Sequence, residues 1–540
     1  MKIKLLFTFT AISLFSSLSF AQSPNWLWAK SAGGNANDKA LSIAADTQGN
    51  TYVTGYFYSS SISFGTTTLI NRGMFLTKYN SSGNVIWAKD AVQKNKNYLS
   101  GGYAVALDNS RNIYVAGQFY DTITFGTITL TQPGIFIVKY DSLGNILWAK
   151  DTKGGGGLAA TAIVTDNFGN FFVAGNFIDT LVIASDTLIH TLASSKFIAK
   201  YDTAGNPIWA KGIYTSGYSD LSVAADKFGN VCIAGDFGTG TLTIGTYTLT
   251  NQGNQDIFAA KFNPAGNVLW AKSYGNFGDD EGTSIATDTL GNISISGFFD
   301  SPFIAFGSTT LWTGGNNIFI VKNDGAGNTL WAKGAHGNNT IRAPSIKADK
   351  SGNAYVAGYF SSSSIIFDAT DSLINKGMFL AKYDPNGNFK WGRDALGGSR
   401  ATAVTVDAFA NPYVAGYFSS DSITFDSSVL LNDTTSSFDI FVATIDALTG
   451  IEDFAKPNKN GSIFIYPNPS NGKFTIQNDE LLVENYNLEI YNIIGAKIYS
   501  ISISNQSNYK IDISSQPKGI YFVKIKTADG IIAKKIILIK

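Results

Sequence analysis

Along most of the chain, apolar and polar positions alternate in short runs that Gly, Asn, Asp and Ser interrupt. Period-two runs bounded by turn formers predict short β-strands, and the apolar period of an amphipathic helix is absent. In the first unit LSIAAD runs to a turn at Asp46, TYVTGYF follows, and ISFGTTTL reads as a further strand or tight hairpin. MFLTKYN comes next, and VIWAKD closes the unit after the turn Ser82-Gly83-Asn84.

The unit recurs. The phrase D-x-x-G-N-x-x-x-x-G, with small departures, begins at Asp46, Asp108, Asp166, Asp226, Asp288, Asp349 and Asp407, at intervals of 62, 58, 60, 62, 61 and 58 residues. A second phrase, nearly always W-A-K, keeps the same period at Trp28, Trp87, Trp148, Trp209, Trp270, Trp331 and Trp391. Seven antiparallel units of four or more strands predict an all-β chain folded as a seven-bladed β-propeller over residues 22–446, because radial repetition leaves only short, protected edges. A solenoid is the competing repeat fold. The chain ends of the repeat favour a ring: the first W-A-K strand, Trp26 to Lys30, precedes the first unit, and the last unit stops at Phe441 to Asp446 without one. The early strand then completes the last blade, an offset an open solenoid has no use for.

Residues repeated in every unit are expected to serve the blade. Asp at the start of the turn bonds backbone N–H groups two residues on, and Gly-Asn supplies positive φ; the alternative is a ring of carboxylates holding a cation. The seven Trp are expected in the core rather than as stacking platforms. The in-strand glycines Gly55, Gly117, Gly175, Gly235, Gly297, Gly358 and Gly416 mark close approach of a neighbouring side chain or backbone. Function is then expected where the units differ, in the loops between blades, which strand parity puts on the face opposite the D-x-x-G-N turns. Asp279, Asp280 and Glu281 form the one tight acidic cluster in the ring, a candidate for oxygen ligation of Ca²⁺; a solvated acidic loop is the alternative.

Composition narrows the chemistry. Lys and Arg total 40, as do Asp and Glu, so formal net charge is zero and no surplus of cations marks a nucleic-acid binder. One Cys, Cys232, two His, His190 and His336, and five Glu leave no disulfide framework, no metal cluster and no serine or cysteine triad; no cofactor is expected. Residues 1–21 combine Lys2 and Lys4, an apolar stretch and small residues at Ser19 and Ala21, the pattern of a secretory signal peptide. An N-terminal membrane anchor is the alternative, and no later segment is long and apolar enough to span a bilayer.

After Asp446 the repeat stops and residues 447–462 read as a linker. Residues 463–540 alternate again between Pro, Asn and Gly turns, predicting a small antiparallel β-sandwich. Tyr466-Pro467-Asn468-Pro469, the I-Y-N-x-x-G phrase ending at Gly495, Lys518-Gly519-Ile520-Tyr521 and the terminal strand with Lys534 and Lys535 resemble the C-terminal sorting domain of type IX (Por) secretion substrates from Bacteroidetes. The resemblance implies passage through the periplasm, export across the outer membrane by the type IX machinery as partner, and a mature part at the surface or released. Residues 26 to 446 are similar to bacterial seven-bladed propeller repeats, a group defined by architecture that implies no single activity. The expectation is a non-catalytic binding, adhesion or structural protein whose unknown extracellular ligand is a glycan, protein or matrix component. A secreted polysaccharide hydrolase is the alternative: it needs two unequal carboxyl groups about 5 to 9.5 Å apart, and the sequence singles out no pair.

Overall fold

The computed structural model describes residues 23–95, 100–154, 158–183, 185–215, 217, 220–238, 240–312, 316–368, 371–434, 437–445, 463–478, 486–492, 496–503, 508–527 and 530–539. The signal-peptide and linker expectations, and Gly495, fall outside these residues. All regular structure among them is β, and no helix is long and apolar enough to cross a membrane.

Up to Ile445 the described strands form five small sheets of two or three strands and seven larger sheets, each of the seven built on a four-stranded antiparallel unit that follows the chain in all but the last. Their first strands are Asp38–Ala45, Gly101–Leu107, Ala159–Thr165, Ser222–Ala225, Asp280–Thr287, Ile341–Ala348 and Ser399–Val406, and we number the blades 1 to 7 in that order. Residues from all seven first strands line one central cavity of about 590 Å³. This is the channel of a β-propeller. The last blade takes its fourth strand from the start of the repeat: Trp26–Ala32 pairs antiparallel with Asp439–Ile445. Thr402 Oγ1 of blade 7 donates to the carbonyl of Ala40 in blade 1 at 2.8 Å, and one apolar cluster joins Trp28, Val53 and Phe75 to Tyr413 and Val442 across the same seam.

Two repeated devices hold the ring, one between neighbouring blades and one within a blade. In blades 3, 4, 5 and 7 the indole N–H of the outer-strand Trp reaches a turn of the next blade: Trp209 donates to Pro264 O at 3.1 Å, Trp270 to Gly325 O at 3.2 Å, Trp331 to Pro385 O at 2.9 Å, and Trp28, closing the ring, to Ser81 O at 2.9 Å. Only Gly fits where these turns lie on the rings. Gly266 has φ 82°, and a Cβ there would sit 3.0 Å from the Trp209 ring. Second, in six of the seven blades the second strand carries a Gly at a bulge in the first strand, where a Cβ on Gly416 would strike the Arg400 carbonyl and the Phe441 ring. The repeated Trp and in-strand Gly therefore serve blade packing.

Beyond the linker, a three-stranded sheet (Ile463–Tyr466, Lys473–Asn478, Asn508–Asp512) and a four-stranded sheet (Tyr486–Asn492, Lys497–Ile503, Gly519–Thr527, Gly530–Leu538) enclose one core. Phe474, Ile476 and Ile511 from the first sheet meet Leu488, Val523 and Ile536 from the second, a two-sheet sandwich.

Candidate functional site

The two ends of the channel are built differently. On the D-x-x-G-N face each repeated Asp is used up inside its own blade. In blade 5, Asp288 Oδ1 accepts the N–H groups of Leu290 and Asn292, both at 2.9 Å, while Oδ2 accepts Asn292 Nδ2 and pairs with Lys322 Nζ, also at 2.9 Å. These hydrogen bonds and the buried ammonium hold the Asp288 carboxyl below its ordinary range despite its burial. Lys322 Nζ also donates to Gly352 O of the next blade, at 2.8 Å. The same Lys stands at Lys139, Lys200 and Lys261, paired with Asp108, Asp166 and Asp226. Sequence reasoning missed this cation, although K-Y or K-F closes nearly every third strand at the repeat period. The Asp ring is thus a set of turn locks.

At the opposite mouth one position per blade is free to vary, the residue between Gly and Phe at the end of the second strand. It is Tyr56, Gln118, Asn176, Asp236, Phe298, Tyr359 and Tyr417 in blades 1 to 7. Strand register sets a first-strand residue directly opposite: Lys39 faces Tyr56, Gly101 faces Gln118, Ala159 faces Asn176, Glu281 faces Phe298, Arg342 faces Tyr359 and Arg400 faces Tyr417. The rim is consequently divided by charge. Blades 6, 7 and 1 present Arg342, Arg400 and Lys39, and each cation lies over a ring of the preceding blade. Arg342 is 3.6 Å from the centroid of Phe298, Arg400 4.5 Å from Tyr359, and Lys39 4.6 Å from Tyr417 and 4.7 Å from Phe438. Tyr56 and the exposed Tyr58 continue the arc as a stacked pair at 4.7 Å. The other side carries three carboxyls around one ammonium: Asp220 accepts from Asn176 Nδ2 at 2.6 Å, the buried Asp236 lies near the half-buried Glu281, and the buried Lys196 is attracted to all three. Burial, then the Asp236 charge, pushes the Glu281 carboxyl up to about 7.

Asp279, Asp280 and Glu281 do not act as a unit. They are consecutive on a strand edge, where alternate side chains take opposite sides. Asp280 is fully buried and accepts from Ser301 Oγ at 2.7 Å and Asn276 N–H at 2.9 Å, closing its own loop. Asp38 does the same in blade 1 with Ser59 Oγ at 2.7 Å and Tyr58 N–H at 2.9 Å. Burial raises both carboxyls to about 6. Among the described residues no three His, Cys, Asp or Glu side chains converge as a metal site would require. His336 is exposed on the fourth strand of blade 5.

In the C-terminal sandwich the motif residues meet at one end. Asn468 Oδ1 accepts the N–H of Ile537 at 2.9 Å, Ser470 bridges to Leu538, and Leu538 pairs with Gly519 on its other side. Tyr466, Pro467, Asn468, Pro469, Lys518, Gly519 and Ile520 are exposed there, whereas Tyr521 is buried and donates to Pro517 O at 2.7 Å. Lys534 lies on the terminal strand and is exposed, and Lys535 pairs in register with Phe522. Residues 464–540 match the family described as the secretion system C-terminal sorting domain. The chain carries a type IX sorting domain. A sorting domain of this kind directs export to the cell surface or extracellular space, with the type IX machinery as its partner.

The sorting domain accounts for the tail alone. The propeller's similarities are broader: an uncharacterised WD repeat-containing protein of Acanthamoeba polyphaga mimivirus is 27% identical over 461 residues, covering 67% of this chain and 33% of that protein. The chain thus spans about a third of that relative's length. Among solved structures, the Pan2 WD40 domain of Neurospora crassa covers 78% of this chain and 96% of that chain at 8% identity and TM-score 0.40. Sqt1 from Chaetomium thermophilum covers 84% and 96% at 10% identity and TM-score 0.36. A member of the duf4221 family from Bacteroides vulgatus covers 61% and 92% at 10% identity and TM-score 0.31.

Proposed function

We propose that the chain is an exported, non-catalytic binding protein whose ligand, a glycan, protein or matrix component outside the cell, seats at the variable mouth of the channel. One observation carries this reading. Seven near-identical blades differ in side-chain chemistry at the second-strand rim position and its first-strand partner, while the opposite face repeats one turn lock around the ring. A scaffold alone has no need of that asymmetry, and variable loops on a rigid frame are where binding residues concentrate. The sorting domain supplies delivery.

Purified propeller applied to a glycan array, beside a hydrolysis screen on the same polysaccharides, tests the reading. Binding without turnover is expected. The second reading, a polysaccharide hydrolase, draws on Glu281, whose carboxyl near 7 beside Asp236 suits a general acid. Turnover lost in Glu281→Gln would establish that reading instead. For the tail, deletion of residues 463–540 is expected to retain the protein within the cell envelope; its normal appearance in the medium would overturn the export assignment.

A further inference from the structure

The basic half of the mouth is an arc of cations and rings: Arg342, Tyr359, Arg400, Tyr417, Lys39 and Tyr56, following one another across blades 6, 7 and 1. Arg342 lies near the Glu281 carboxyl, whereas Arg400 and Lys39 face each other. Arg400 is close enough to Lys39 that their repulsion adds to burial in lowering the Lys39 ammonium below its ordinary range. Among the described residues neither Arg400 nor Lys39 forms an ion pair, whereas the repeated lysines of the other face pair with buried Asp residues. A hollow of about 340 Å³ opens beside them between blades 6 and 7, lined by Lys376, Arg400, Tyr359, Tyr417 and Phe438 together with Ser, Thr and Gly, and it contains no carboxylate. That volume lies in the range of small-ligand pockets, about 300 to 1,000 Å³.

Juxtaposed cations left without counter-charge cost the folded protein and are repaid when an anion arrives. A guanidinium stacked flat on a ring is held in place by it, and its in-plane N–H groups can grip a carboxylate with two parallel bonds. From these features, and resting on the binding reading above, we infer that the arc binds an acidic polysaccharide, a chain of sugars bearing one carboxylate per repeat. Sugar carboxylates meet Arg342, Arg400 and Lys39 in turn, and the apolar faces of the rings pack on the exposed edges of Tyr359, Tyr417 and Tyr58. Across the mouth the Lys196 ammonium lies among Asp220, Asp236 and Glu281, which outnumber it, so such a polymer is confined to the arc's half of the rim.

Isothermal titration of the full chain with polygalacturonate, neutral dextran and poly-glutamate decides the matter. Polygalacturonate is expected to bind at least tenfold more tightly than dextran, with affinity falling as salt rises. Arg342→Ala/Arg400→Ala is expected to weaken it tenfold or more with an unchanged melting temperature, and Lys227→Ala, on the other face, to leave it unaltered. Dextran binding as well as polygalacturonate, or a double variant that binds normally, overturns the acidic-polymer assignment while the binding reading stands. Poly-glutamate binding equally well replaces the glycan with an acidic protein segment. Binding of none of the three overturns the assignment, and an empty glycan array would then remove the binding reading as well.

Discussion

The two faces of the propeller are made by the same strands and serve opposite ends. On the turn face every blade spends an Asp and an Asn, and most blades a Gly and a Lys, on itself and its neighbour, so identity is enforced by packing. At the channel mouth the equivalent strand ends carry Tyr, Gln, Asn, Asp, Phe, Tyr and Tyr, with Lys, Glu or Arg opposite four of them. Repetition marks where the chain is holding itself together; departure from it marks where the chain has something left to offer.

The sharpest way to break this contrast is to remove what both faces depend on. Deleting residues 23–32 takes away the fourth strand of blade 7 and the Trp28 bond to Ser81, and is expected to abolish cooperative unfolding and expose the ring to limited proteolysis. On the turn face, Trp209→Ala is expected to cost about 3 to 5 kcal/mol in chemical denaturation, the usual loss for a buried Trp. Asp288→Ala leaves the Lys322 ammonium buried without its counter-ion and is expected to cost about 3 to 5 kcal/mol, with part recovered in Asp288→Ala/Lys322→Met.

The mouth responds differently. Burial raises the loop carboxyls Asp38, Asp256 and Asp280 to about 6 and Asp439 to about 7. Because the folded state holds these protons more tightly than the unfolded chain, whose carboxyls titrate near 4, their contribution is full below pH 4 and is lost as pH rises to 7. Melting temperature is therefore expected to fall between pH 4.5 and 7.5, and Asp38→Asn/Asp280→Asn to flatten that slope. Smallest of all, Tyr58→Ala and Arg400→Ala, both exposed, are expected to change stability by less than about 0.5 kcal/mol. A loss as large as that of Trp209→Ala would erase the distinction between the faces.

Much of this was legible in sequence because propeller blades are short-range objects. The turn at Asp46, the offset of the first W-A-K strand and the alternating strands state their structure locally. The cation–ring arc did not, since it needs register: Arg400 sits opposite Tyr417 in its own blade yet stacks on Tyr359 of the previous one. Adjacency misled at Asp279, Asp280 and Glu281, where a strand turns consecutive acids to different sides. The third-strand lysines were visible as a repeat, but a charged residue amid an apolar strand reads as exposed until its buried Asp is found.

The seam between blade 7 and the start of the repeat sets the order in which the molecule can be completed. Trp26 N–H reaches Asp426 across 400 residues of chain, and closing a loop of that length costs on the order of 5 kcal/mol in chain entropy. A chain made from its N-terminus has its closing strand from the outset and nothing to pair it with until Asp439 to Ile445 exists. Until then blade 1 exposes the apolar flank that Tyr413 and Val442 later cover. The ring is thus a clasp whose two halves are the first and last pieces of the propeller to be synthesised.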